Sequence, residues 1–206
     1  LKSFAMIKSF LIIVLLASAG AARSQFQVNP QVGITLTDLT ADQPGVESRA
    51  AVGFLLGLDS RMGDRVYFQP GIYFGRSATT VEYADTDTTV IEDNLIRSTL
   101  KLKALVGFNI IHGDAFKLRV NGGPTYEVLL SVDNKDDEIA FNKDDFNAGS
   151  FNMDAGLGVD LAIVSVESGV SYGLSNAYKD AGELTGDAKY FTFYLTAGIV
   201  FGSSGD

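Results

Sequence analysis

Leu100-Lys101-Leu102-Lys103-Ala104-Leu105-Val106-Gly107-Phe108-Asn109-Ile110 is the stretch that decides how this chain folds. Leu100, Leu102, Ala104, Val106, Phe108 and Ile110 recur at every second position, and Lys101, Lys103, Gly107 and Asn109 stand between them. A period of two places alternate side chains on opposite faces of an extended strand, so the segment predicts a strand with one apolar and one polar face.

The same alternation runs through the rest of the chain. Upstream it recurs in Phe26, Val28, Val32, Ile34 and Leu36, in Ala50, Val52, Phe54, Leu56 and Leu58, and in Val66, Phe68, Ile72 and Phe74. Downstream it returns in Phe116 to Leu130, in Phe151 to Ile163, in Val166 to Leu174 and in Phe191 to Phe201. Eight strands result, an even number of the kind that up-and-down membrane barrels use. With 206 residues the chain fits one domain. It contains 22 Gly, 14 Phe and 8 Tyr but no Cys, which favours an all-β chain and removes disulfides, thiolate metal sites and cysteine nucleophiles. The net charge of −9 argues against a nucleic-acid partner, which would need a basic footprint.

Residues 1–24 carry the pattern of a cleaved signal peptide. Lys2 and Lys8 precede the apolar run Phe10 to Ala17, and small residues follow through Ala22. The run is too short for a bilayer, which takes about 20 apolar residues. Ala22-Arg23-Ser24 suggests cleavage before Gln25, with cleavage after Ala21 or Ala22 as alternatives. The mature barrel is then residues 25–206.

Connections are expected to alternate in length. Asp59 to Asp64, Ile111 to Asp114 and the Val164-Ser165 corner are short; Thr37 to Ser48, Glu82 to Asn94, Asp133 to Asp145 and Lys179 to Lys189 are long. Short turns at one end and long loops at the other are the layout of an outer-membrane barrel. A secreted lipocalin-like barrel carrying apolar ligands would alternate in the opposite sense. Three features favour lipid outside: the apolar stripe has roughly the ten-residue length of a tilted membrane strand, the opposite face is rich in glycine, and the loop asymmetry is strong. That glycine face comprises Gly33, Gly53, Gly57, Gly71, Gly75, Gly107, Gly123, Gly156, Gly158, Gly169, Gly173 and Gly198.

The order of these elements resembles the small outer-membrane β-barrel proteins of Bacteroidota known as PorT-like. The resemblance rests on the strand Tyr67 to Gly75, the strand Leu100 to Gly107 and the Val120-Asn121-Gly122-Gly123-Pro124 segment, and it spans essentially the mature chain. It implies an eight-stranded barrel in the outer membrane and little about activity. The chain departs from the family's usual aromatic end, because Gly202 to Asp206 follow Phe201.

Two groups of charged residues are candidates for a role. The inward register carries Arg49, Lys101, Lys103, Lys117 and Arg119 with Glu127, Asp154, Asp160 and Glu167. In a narrow lumen such charges should pair into a network, and eight strands leave an interior that side chains just fill. The second group is acidic and lies in the long connections, with Asp133, Asp136, Asp137, Glu138, Asp144 and Asp145 at its densest point. These carboxylates suit either plain solvation or a divalent-cation or protein partner. The single histidine, His112, falls in a short turn, away from the loop end where a barrel hydrolase would need a base.

The sequence thus predicts an all-β, eight-stranded antiparallel up-and-down transmembrane β-barrel: a monomer in outer-membrane lipid, without cofactor or enzymatic activity. Its lumen is plugged and polar, its loops acidic and its role structural or interactive. The alternatives are a narrow channel, an accessory subunit of an envelope complex, a lipid-modifying enzyme and the soluble carrier.

Overall fold

A computed structural model describes residues 26–41, 46–84, 90–113, 115–134, 147–176 and 188–202, with side chains over a shorter part of several strands. Residues 1–24, expected to be a signal peptide, lie outside the described residues. The chain forms β1 (Phe26–Ala41), β2 (Val46–Gly63), β3 (Val66–Ala84), β4 (Val90–His112), β5 (Phe116–Asn134), β6 (Gly149–Leu161), β7 (Val164–Gly173), β8 (Ala188–Ile199) and β9 (Phe201–Gly202). Each strand from β1 to β7 pairs antiparallel with the next, and β1 pairs with both β2 and β8, which closes the sheet. β9 continues the eighth strand past Val200 and also pairs with β1. The result is a closed eight-stranded antiparallel barrel.

Burial is inverted relative to a soluble domain. Val32, Ile34, Phe54, Leu56, Ile72, Val106, Leu157 and Phe193 point outward and are exposed, whereas Asn29, Gln31, Asp59, Gln69, Arg119, Asp154 and Glu167 are buried inside. The apolar face is therefore the outer one, and it calls for lipid rather than water. This sense of alternation overturns the lipocalin-like alternative, whose apolar face would line a cavity.

The lumen is kept narrow by a pairing of large and absent side chains. Tyr73 stands directly opposite Gly57, Tyr67 opposite Gly107, and Tyr194 opposite Gly169. In each pair the tyrosine ring occupies the space that a Cβ on the glycine would need. Arg119 lies over Gly158 in the same way. The inward glycines thus make room for long inward side chains on the neighbouring strand.

The turns differ from the sequence expectation in position. β2 continues to Gly63, so Asp59 and Arg61 are buried strand residues and the turn is at Asp64 and Arg65. The β6–β7 turn falls on Ala162 and Ile163, with Ala162 at a φ of 51°, and Ser165 is a buried residue of β7. Charged residues read as turn formers were strand residues whose partners lie across the lumen.

The long connections are corrected more strongly. β1 runs to Ala41 and β2 begins at Val46; β3 runs to Ala84 and β4 begins at Val90. Residues 42–45 and 85–89 are all that remain between those strands. β4 spans 23 residues, well beyond the roughly ten that cross a bilayer, so β2 to β5 rise past the apolar band. Their register sets Glu47 opposite Glu82 and Glu82 opposite Glu92, one row of acids across three strands.

Replacing Gly57 with valine should drive a side chain into the Tyr73 ring and cost about 1–3 kcal/mol of folding stability. Urea unfolding of the lipid-inserted barrel measures this. The double variant Gly57→Val, Tyr73→Ala should recover part of the loss, and no recovery would count against this packing.

Candidate functional site: the charged lumen

The alternation that exposes apolar residues sends every intervening polar side chain inward, where eight strands bring them within reach of one another. Six of them form a circuit of alternating charge that starts and ends on β2. Arg61 of β2 meets Asp160 of β6 at 2.6 Å, and Asp160 meets Arg119 of β5 at 3.3 Å. Arg119 pairs with Glu167 of β7, and Glu167 lies 3.6 Å from Lys103 of β4. Lys103 is 3.7 Å from Asp59, which returns the circuit to β2 two residues from its start.

Neutral groups supply further hydrogen bonds to the circuit. The Ser165 hydroxyl accepts from Arg61 at 2.9 Å and from Arg119 at 2.8 Å. Asn121 donates to Glu167 at 2.9 Å. Asp59 accepts from Gln69 at 2.7 Å and from Gln31 at 3.3 Å, and the Tyr73 hydroxyl donates to Gln31 at 2.9 Å. Lys103 also sits 4.7 Å from the centre of the Tyr73 ring and 5.6 Å from that of Tyr194, so β1, β3 and β8 join the assembly. Arg119 and Glu167 are 0% and 1% exposed. Buried charges hold only when paired and hydrogen-bonded: Asp160, Arg119, Glu167 and Lys103 each meet two opposite charges, and Arg61 and Asp59 at the ends each meet one.

A second cluster lies toward the long-connection end. Lys101 is 3.0 Å from Asp154 and 3.4 Å from Glu127, and it donates to the Ser171 hydroxyl at 3.0 Å. Thr125 donates to Asp154 at 3.1 Å. Farther out, the Arg97 guanidinium stacks 3.7 Å from the centre of the Tyr190 ring.

The charges named from the sequence are distributed as follows. Lys101, Lys103, Arg119, Glu127, Asp154, Asp160 and Glu167 fall into these two clusters. Lys117 is buried near the short turns, opposite Asp160 in the strand register. Arg49 occupies β2 opposite Thr80, and its side chain lies outside the described residues. Asp133 pairs with Ile96 in the backbone of β5; its side chain, and Asp136, Asp137, Glu138, Asp144 and Asp145 entirely, lie outside the described residues.

Sequence reasoning missed Asp59, Arg61 and Arg97, together with the amides Gln31, Gln69 and Asn121. Asp59 and Arg61 fall within the turn expected over Asp59 to Asp64, and Arg97 lies between the expected connection ending at Asn94 and the alternation starting at Leu100. The signal was present, since Asp59 and Arg61 continue the inward register of Gly53 and Gly57.

His112 closes β4 at the short-turn end, 3.0 Å from the Asp64 carboxylate and 3.4 Å from the Asn109 amide nitrogen. Asn109 in turn donates to the Asp64 carbonyl at 2.7 Å. The group fastens the β2–β3 turn to β4.

A family model described as outer membrane protein beta-barrel domain matches residues 9–201. The chain belongs to this family. No curated protein sequence matches it. Among solved structures, this barrel domain is similar to the outer membrane protein OprG from Pseudomonas aeruginosa, at 14% identity and a TM-score of 0.53, over 87% of this chain and 97% of that one. It is also similar to Ail, the attachment invasion locus protein of Yersinia pestis, at 12% identity and a TM-score of 0.46, over 85% and 98%. At such identity the likeness to OprG speaks for the fold alone. The family and the lipid-facing exterior place the barrel domain in the outer membrane.

Removing one member of the circuit strands its partners. Glu167→Gln leaves Arg119 and Lys103 short of a buried carboxylate and should cost about 3–5 kcal/mol in denaturant unfolding. Glu127→Gln, at the more accessible end of the Lys101 cluster, should cost about 1 kcal/mol or less. Equal losses in the two variants would deny the circuit its structural role.

Proposed function

We propose that this protein is a non-conducting outer-membrane barrel whose polar lumen is a structural core and whose working surface is its acidic long-connection end. The observation that carries this reading is the circuit of Arg61, Asp160, Arg119, Glu167, Lys103 and Asp59, which runs across the lumen with each charge paired to at least one opposite charge. An ion crossing the barrel would have to separate these pairs in a space too narrow to hydrate them, so a filled interior costs less than a conducting one. The protein acts as a monomer, since closing the barrel satisfies the strand edges within one chain.

The role is structural or interactive rather than enzymatic. His112 is the single histidine, and it is engaged by Asp64 and Asn109 at the short-turn end. The acidic row of Glu47, Glu82 and Glu92, with the acids of residues 133–145, suits a basic protein surface or a divalent cation outside the membrane. The strands Tyr67 to Gly75 and Leu100 to Gly107 support a place among the PorT-like barrels of Bacteroidota.

Planar-bilayer recording of the purified, folded barrel tests the closed lumen. The expected trace shows no stepwise conductance, while a double variant Lys103→Ala, Arg119→Ala that still folds should open steps by removing two bulky side chains. Reproducible steps from the unaltered protein would replace this reading with the narrow channel.

A further inference from the structure

Beyond the circuit, the lumen holds a cavity of about 40 Å³ toward the long-connection end. Arg97, Lys101, Glu127, Asn152, Tyr190 and Tyr194 line it, together with the hydroxyls of several threonines and serines. A water-sized group needs about 10–15 Å³, so the space takes roughly three such groups.

The wall is rich in unused donors. Arg97 Nε, Asn152 Nδ2, the hydroxyls of Tyr190 and Tyr194 and the Thr35 hydroxyl are all buried and find no hydrogen-bond partner among the described residues. These residues are 3–9% exposed, and each of them lines the same cavity. Buried polar groups without partners are rare, and here five gather at one place.

The charges differ in how far they are committed. Lys101 is held between Asp154 and Glu127, so its charge is already answered. Arg97 makes no ion pair among the described residues; the Tyr190 ring covers one face of its guanidinium at 3.7 Å. A stacked guanidinium is held in place while its in-plane N–H groups stay available, which is the arrangement that recognises oxyanions.

We propose that this outer pocket of the lumen binds a small oxyanion of the phosphate or sulfate class, with Arg97 as its charged ligand and Asn152, Tyr190, Tyr194 and Thr35 as neutral donors. The anion's oxygens satisfy the orphaned donors, and its charge answers that of Arg97, which makes no ion pair among the described residues. The site does not depend on whether the circuit below it conducts.

Inorganic phosphate and sulfate are titrated calorimetrically, at constant ionic strength, into the folded barrel in detergent. The expected result is saturable binding that Arg97→Gln weakens about ten-fold or more and that Arg65→Gln, an equal charge change at the opposite end, leaves unchanged. Each variant is first shown to keep the heat-dependent gel shift of a folded barrel. If Arg97→Gln does not fold, Tyr190→Leu, which removes both the stacking ring and a hydroxyl, is expected to weaken binding instead. Competition by glucose 6-phosphate would extend the ligand to phosphorylated solutes, and its failure would restrict it to the free ion; either outcome keeps the oxyanion site. Absence of saturable binding by the unaltered protein, equal weakening by Arg97→Gln and Arg65→Gln, or unchanged binding in a folded Arg97 or Tyr190 variant would overturn the proposal.

Discussion

Hydrocarbon offers a backbone no hydrogen bonds, and the rest of this structure follows from that constraint. A strand crossing the membrane must find partners on both edges, and the only sheet without an open edge is a closed one. β1 meets the requirement by pairing with β2 along one edge and with β8 and β9 along the other. Once eight strands close, alternation assigns each side chain to lipid or to a lumen only a few side chains wide.

That narrow lumen must hold polar groups, and charge pairing is the way it holds them. Asp59 and Arg61 sit two residues apart on one strand with opposite charges, and the circuit that leaves Arg61 returns to Asp59 through β6, β5, β7 and β4. Cross-links of this kind tie together strands that share no backbone hydrogen bonds. β2 and β6 are not sheet neighbours, and the 2.6 Å Arg61–Asp160 contact joins them directly. The tyrosines add volume where glycines have given it up, so polar pairing and close packing share the same interior.

The two ends of the barrel are built differently. At the short-turn end, His112, Asn109 and Asp64 bind a tight turn to its neighbour strand. At the other end the strands of β2 to β5 continue past the apolar band, and the paired charges thin out toward Arg97, stacked on Tyr190. The interior thus grades from a circuit of ion pairs to a pocket whose guanidinium makes no ion pair among the described residues, which is where a small ligand has something to gain.

Alternation along the chain was enough to assign the eight strands, their inward and outward faces and the identity of most lumen charges, because a period of two is a local property that lipid turns into an absolute rule. Lys101, Lys103, Arg119, Asp154, Asp160 and Glu167 could be assigned to the interior from alternation alone. Composition obscured the ends of the strands: Asp59, Arg61, Glu47, Glu82 and Glu92 have the polarity of turns and loops, and only cross-strand pairing places them in β2, β3 and β4. Which charge meets which was equally a matter for the tertiary structure. Partners such as Arg61 and Asp160, separated by 99 positions in the chain, are chosen by barrel closure and strand register, and both are global quantities that no local window of sequence contains.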